Sequence, residues 1–152
     1  MPQIKLVVVG DPMGKQRPRA RNTGAFVQVY TPKETTNYES KVVAAYREKY
    51  NELVFEPHRE LWATIIAYFP ITKQHYKYHK KTNTIDLDSQ GMLMKEGKLN
   101  PIKKPDCDNI AKICLDALNG IAYPDDNAIS CLLVIKKYSE QPRVEITIEE
   151  RK

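Results

Sequence analysis

Cysteine is scarce in this chain and scattered: Cys107, Cys114 and Cys131 make no CxxC pair. Set among apolar neighbours, they read as buried thiols rather than a zinc site or disulfides, which suits a reducing cytoplasm. His58, His75 and His79 have no spacing with cysteine that suggests metal binding. Long apolar runs are missing too. Runs such as residues 6–9 and 131–135 fall far short of the ~20 residues that a membrane-spanning helix needs, so no membrane partner is expected. The opening Met1-Pro2-Gln3-Ile4-Lys5-Leu6 lacks the charged leader, apolar stretch and small-residue cleavage site of a secretory signal, so nothing in it directs the chain outward. Internal repeats and low-complexity tracts are also missing.

What is present suits one domain. A length of 152 residues with 41% hydrophobic content is enough for a single core. Lys and Arg outnumber Asp and Glu by 24 to 19, a net charge of +5 that favours a polyanionic partner. The distribution of the charges says more than their sum. In Gly14-Lys15-Gln16-Arg17-Pro18-Arg19-Ala20-Arg21 a cation falls at every second residue, so an extended backbone projects Lys15, Arg17, Arg19 and Arg21 from one side, toward a polyanion.

Local patterns predict the elements. Residues 4–9 are β-branched and apolar and end at Gly10-Asp11-Pro12, a central strand running into a turn. Residues 26–30 read as a short strand. Thr31-Pro32 starts a helix, with Thr31 as cap, and Tyr38, Val42, Ala45 and Tyr46 recur at helical spacing to about Tyr50. Residues 61–69 read as a buried strand closed by Pro70. In the lysine-rich stretch 71–104 the pattern weakens, and the expectation is a basic helix near residues 73–81 and a mobile stretch around residues 91–97. Residues 109–119 form a helix capped by Asp108 and ended by Gly120. Residues 129–135 and 143–148 read as an antiparallel hairpin.

The chemistry gathers in Lys103-Lys104-Pro105-Asp106-Cys107-Asp108-Asn109 and Pro124-Asp125-Asp126-Asn127. Pro105 favours an extended approach to the helix, in which Asp106 and Asp108 point the same way and Cys107 points to the core. Two convergent carboxylates beside a third aspartate suit a hard divalent cation, which takes one or two carboxylates plus water and substrate phosphate. Of the adjacent Asp125 and Asp126, only one can face the same way. Lys112, four residues from both Asp108 and Asp116, puts a cation on the same polar helix face. Ordinary readings stand beside these: turn and cap residues for the aspartates, a helix-surface pair for Lys112 and Asp116, a solvated face for the basic stretch. Asp86 and Asp88 form a second same-face pair that composition does not separate from the first as a metal site.

Taken together, the motifs resemble the RusA family of Holliday junction resolvases. The family's pattern stands here as Lys104-Pro105-Asp106-Cys107-Asp108-Asn109, then Lys112, then Asp116-Ala117-Leu118-Asn119-Gly120 and Asp125-Asp126. Gly14-Lys15-Gln16-Arg17-Pro18-Arg19 and Tyr30-Thr31-Pro32 are similar to phage-type members. Residues 71–104 depart from the family pattern. The resemblance implies an α+β domain with a mixed β-sheet flanked by α-helices. It implies Asp106, Asp108 and Asp126 as metal-binding and catalytic residues and Lys112 as the catalytic lysine, with Asn109 and Asp125 as secondary candidates. It also implies Mg2+, with Mn2+ as a substitute, a homodimer, and a four-way branched DNA substrate nicked in pairs. Two rivals are a non-catalytic module for branched or single-stranded DNA and a metal-dependent phosphohydrolase of small nucleotides. Dispersed cations favour a long polyanion over the latter.

Overall fold

The computed structural model describes residues 2–151. Its main sheet has four strands, β1 (Gln3–Val9), β4 (Leu61–Pro70), β7 (Ile129–Ser139) and β8 (Arg143–Glu150), in the order β1-β8-β4-β7. The sheet is mixed: β8 runs antiparallel to both β1 and β4, whereas β4 and β7 are parallel. Two small antiparallel ribbons stand apart, β2 (Arg19–Asn22) with β3 (Val27–Tyr30), and β5 (Tyr76–His79) with β6 (Thr84–Leu87). Three helices complete the fold: α1 (Lys33–Arg47), α2 (Ser89–Lys95) and α3 (Cys107–Leu118). The chain is thus a single α+β domain of the expected class.

Period-two alternation sorts the sheet into faces. Ile4, Leu6 and Val8 of β1, Ala63, Ile65, Ala67 and Phe69 of β4, and Val144, Ile146 and Ile148 of β8 are all buried. Onto this face α1 lays Tyr38, Val42 and Tyr46, and α3 lays Ile110, Ile113, Cys114, Ala117 and Leu118, in one continuous core. The three-to-four residue spacing of those positions is the apolar stripe that drives each helix onto the sheet. Each such aliphatic side chain contributes roughly 1.5–3 kcal/mol by leaving water. The opposite face keeps Val7, Val9, Trp62 and Leu133 exposed.

Several expectations are corrected. Residues 129–135 and 143–148 do form strands, but not a hairpin: β4 lies between β7 and β8 and bonds to both. A parallel β4–β7 pair needs a crossover of a dozen or more residues, and the segment containing α3 supplies it. β1 is an edge strand rather than a central one, since only β8 pairs with it. Pro32, not Thr31, occupies the α1 cap position and makes no side-chain cap bond. The basic helix near residues 73–81 is instead a 3-10 turn (Lys73–His75) followed by β5. The stretch around residues 91–97 is ordered in α2, with Asp88 as N-cap accepting from Gly91 N at 2.7 Å and Gly97 beyond its end at φ +80°. Cys114 is buried as expected, but Cys107 and Cys131 are exposed.

The register defines two ends of the sheet. Val9 and Tyr68 both pair with Arg143, and Pro70 pairs with Ser139, so the ends of β1, β4 and β7 coincide. From this end leave the basic loop after Val9 and the segment leading to β5. The approach to α3 is fastened here as well: Lys136 Nζ donates to Lys103 O at 2.5 Å, and the Lys103 ammonium lies 5.9 Å from the Tyr138 ring centre. At the opposite end Leu61 pairs with Ile129, immediately after the Asp126–Ala128 turn.

Candidate active site

Helix α3 organises the candidate residues. Lys104-Pro105 is a cis peptide, and the helix begins directly after it with Asp106 as N-cap. The cap is two residues earlier than expected: Asp108 lies inside the first turn, and Cys107 is exposed rather than turned to the core. Asp106 makes no side-chain cap bond. Both carboxylates are therefore solvent-facing at the positive end of the helix dipole, where negative charge is stabilised. Lys112 follows one turn after Asp108 and is exposed.

The basic loop is seated on this helix. A Cβ on Gly14 would lie 2.9 Å from Pro105 Cβ and 3.1 Å from Asn109 Cβ, so only glycine permits the approach. Lys15 N donates to Asn109 O at 3.0 Å, which locks the loop in register with the first turn of α3. Together Met13, Gly14, Lys15, Gln16, Asp106 and Asn109 border a cleft of about 450 Å³.

Lys15 does not join Arg17, Arg19 and Arg21 on one free face. Its ammonium lies 2.5 Å from Glu39 of α1 and 3.3 Å from Asp116 of α3. Partial burial works against its charge, but the two carboxylates outweigh that and hold its pKa above the ordinary value. Arg19 and Arg21 lie exposed in β2, where Arg21 donates to Gln28 Oε1 at 2.8 Å and its guanidinium sits 5.6 Å from the Tyr30 ring centre. Arg17 is exposed in the loop before them.

Asp126 belongs to a different neighbourhood. Its carboxyl is raised above the usual range, first by lost solvent, then by Asp125 beside it and by the charge of Asp116. Asp125 accepts from Asn127 N at 3.3 Å and so also shapes the turn. Asp108 and Asp116 are eight residues apart, about 12 Å along a helix. The structure thus draws Asp126 to the Asp116 end of α3, while Asp106 and Asp108 occupy its start. Among the described residues no group of three or more His, Cys, Asp or Glu comes together closely enough to hold a metal ion. Donor chemistry still fits a hard cation, because such ions need only one or two carboxylates beside water and phosphate.

Glu39 is the member that sequence reading missed. Asp116 stood in the sequence as a helix-surface partner of Lys112 and as part of the family motif, and nothing local indicates that Lys15 reaches it instead. Asp88 and Asp86, the second same-face pair, have other partners: Asp88 caps α2 and lies 3.2 Å from His75 Nδ1, and Asp86 lies 3.0 Å from His79 Nε2.

Comparison with known proteins places the chain in a family. Residues 10–149 match the family described as endodeoxyribonuclease RusA. The chain is also 34% identical over 148 residues to the uncharacterized protein YqaN of Bacillus subtilis (strain 168), covering 97% of this chain and 96% of that one. The matched span takes in the basic loop, α3 and the Asp125-Asp126 turn, and the chain belongs to the RusA endodeoxyribonuclease family.

Proposed function

We propose that this chain is a Mg2+-dependent, structure-selective endodeoxyribonuclease that resolves four-way DNA junctions by paired symmetric nicks. The observation that carries the reading is the start of α3, where Asp106 and Asp108 stand exposed beside a basic loop seated on the same turn through Gly14 and Lys15. By the family resemblance Asp106, Asp108 and Asp126 would hold the metal, with Mn2+ able to replace it; within one protomer Asp106 and Asp108 share the start of α3, and Asp126 stands toward its other end. When bound, the ion supplies a water of lowered pKa and neutralises charge on the phosphate. Lys112 offers a positive charge to the scissile phosphate, and Arg17, Arg19 and Arg21 take the DNA backbone. Asn109 fixes the loop through its backbone, and Asp125 shapes the turn that carries Asp126.

A two-fold homodimer suits a two-fold branched substrate, because each protomer then meets one of two equivalent strands. The activity serves recombination and repair in the cytoplasm of a bacterial or phage-infected cell. No helix is long and apolar enough to cross a membrane among the described residues.

One observation favours a second reading, a non-catalytic module for branched or single-stranded DNA: among the described residues no three metal donors gather. One experiment separates the two. A labelled four-way junction and a linear duplex of matching sequence are incubated with the protein, with and without Mg2+, alongside Asp108→Asn. Symmetric nicking of the junction alone, lost on chelation and in Asp108→Asn, supports the nuclease. Tight binding with no cleavage in Mg2+ or Mn2+ supports the binding module.

A further inference from the structure

Residues 71–103 carry none of the motifs quoted for the active site, and within them the β5–β6 hairpin has a composition that the proposed active site does not use. Residues 73–85 carry Lys73, Lys77, Lys80 and Lys81 and no acidic side chain. The register pairs Tyr78 with Ile85, and both side chains are mostly exposed, at 61% and 66%. Such a cross-strand pair normally packs on something; here it faces solvent between lysines.

The hairpin is built to hold that pair out. Tyr78 Oη donates to Asn83 Oδ1 at 2.8 Å, which fixes the ring against the turn, and Asn83 sits at φ 52° to close it. At the base, Asp88 N donates to His75 O at 2.8 Å, and the Asp88 carboxylate lies 3.2 Å from His75 Nδ1. Asp86, the first acid after the basic run, is matched by His79 at 3.0 Å. Next to Tyr78 a groove of about 660 Å³ is bordered by Lys80, Lys81 and Thr84.

Position supplies the remaining argument. β5 leaves from the end of β4, at the same end of the sheet as the basic loop and the start of α3. Four-residue strands reach about 13 Å. A polyanion lying across the start of α3 therefore passes within reach of the hairpin.

We propose that the β5–β6 hairpin is a second DNA-contacting element, with Tyr78 stacking on an unpaired or frayed base at the branch point and Lys80 and Lys81 on flanking phosphates. An exposed aromatic ring between cations is the arrangement by which proteins hold single-stranded nucleic acid without reading sequence. A base pair inside a regular duplex offers no free face to the ring, so the contact selects for branched DNA over linear DNA. This deepens the proposed junction-cleaving reading and rests on it.

The test measures binding without cleavage. Affinities of wild type, Tyr78→Ala, Tyr78→Phe and Lys80→Ala/Lys81→Ala for a four-way junction and for a linear duplex are read by fluorescence anisotropy in EDTA over a range of salt. Thermal melts check that each variant is folded. Tyr78→Ala should weaken junction binding roughly five- to 150-fold, leave duplex binding unchanged, and be rescued by Tyr78→Phe. The double lysine variant should reduce the steepness of the log–log salt dependence on the junction by about 2. Wild-type affinity and slope in the folded variants would overturn the hairpin contact and leave the nuclease reading intact, as would an equal loss in Tyr78→Ala and Tyr78→Phe. If wild type binds neither DNA, the junction reading fails first, and the hairpin proposal fails with it.

Discussion

The Lys15 ammonium lies 3.3 Å from the Asp116 carboxylate, and through this contact the basic loop reaches from the first turn of α3 to its last. The same ammonium touches Glu39 of α1, so one lysine joins loop and both core-covering helices. All three side chains are part-exposed, at 21–32%, so solvent screens much of the attraction.

Lys15→Ala should therefore destabilise the fold by no more than about 1 kcal/mol in urea unfolding. Because the folded state raises the Lys15 pKa, its stabilising effect is complete below the ordinary value of 10.5 and fades as pH rises through the folded value. The gap between wild type and Lys15→Ala should be constant through neutral pH and narrow only in strong alkali. A gap that widens there would contradict the ion pair.

Gly14→Ala tests the seat of the loop. The new methyl meets Pro105 and Asn109 at 2.9 and 3.1 Å and forces the loop outward, breaking the bond from Lys15 N to Asn109 O. Overpacking of this kind costs about 1–3 kcal/mol. Denaturant midpoints should drop accordingly, and junction cleavage should fall further than stability alone accounts for. A fully active, equally stable variant would refute the close approach.

Substituting the proposed metal-binding aspartates separates chemistry from binding. Asp106→Asn, Asp108→Asn and Asp126→Asn should each lower single-turnover cleavage of a four-way junction by about 10²-fold or more. Junction affinity measured in EDTA should not fall, since each change removes a negative charge that repels the phosphates. Wild-type cleavage by Asp126→Asn, with Asp116→Asn inactive, would transfer the role along α3.

Thiol chemistry checks the helix start. Cys107 and Cys131 are exposed, whereas burial pushes the Cys114 thiol up to about 12. At pH 8 a thiol reagent should modify two cysteines quickly in the native protein and the third only on unfolding. Modification of a single cysteine would mean that Cys107 or Cys131 is covered.

Much of this molecule was legible in one dimension. The apolar, β-branched run of β4 and the helical stripe of α3 depend on neighbours within a few residues, so the type of both and the buried face of α3 follow from local pattern, whereas the alternating burial of β4 does not. The aspartate motif also names its family without any coordinates. Boundaries were less legible: starting α3 at Asp106 instead of Asp108 turned Cys107 from core to surface, because one residue of helix rotates a side chain by about 100°.

By itself, then, the sequence determined the class of the fold, the main strands and helices, and the carboxylates and cations available for chemistry. Tertiary structure alone decided who meets whom. Alternation says which face of β8 is buried but not which strand lies beside it or beside β7, so the insertion of β4 between two strands joined by three residues was invisible. Helical spacing puts Asp116 on a polar face but does not say that Lys15, 101 positions earlier, will arrive there instead of Lys112. Both outcomes depend on contacts between distant segments, which form because burying the shared core outweighs the local pairing that adjacency favours.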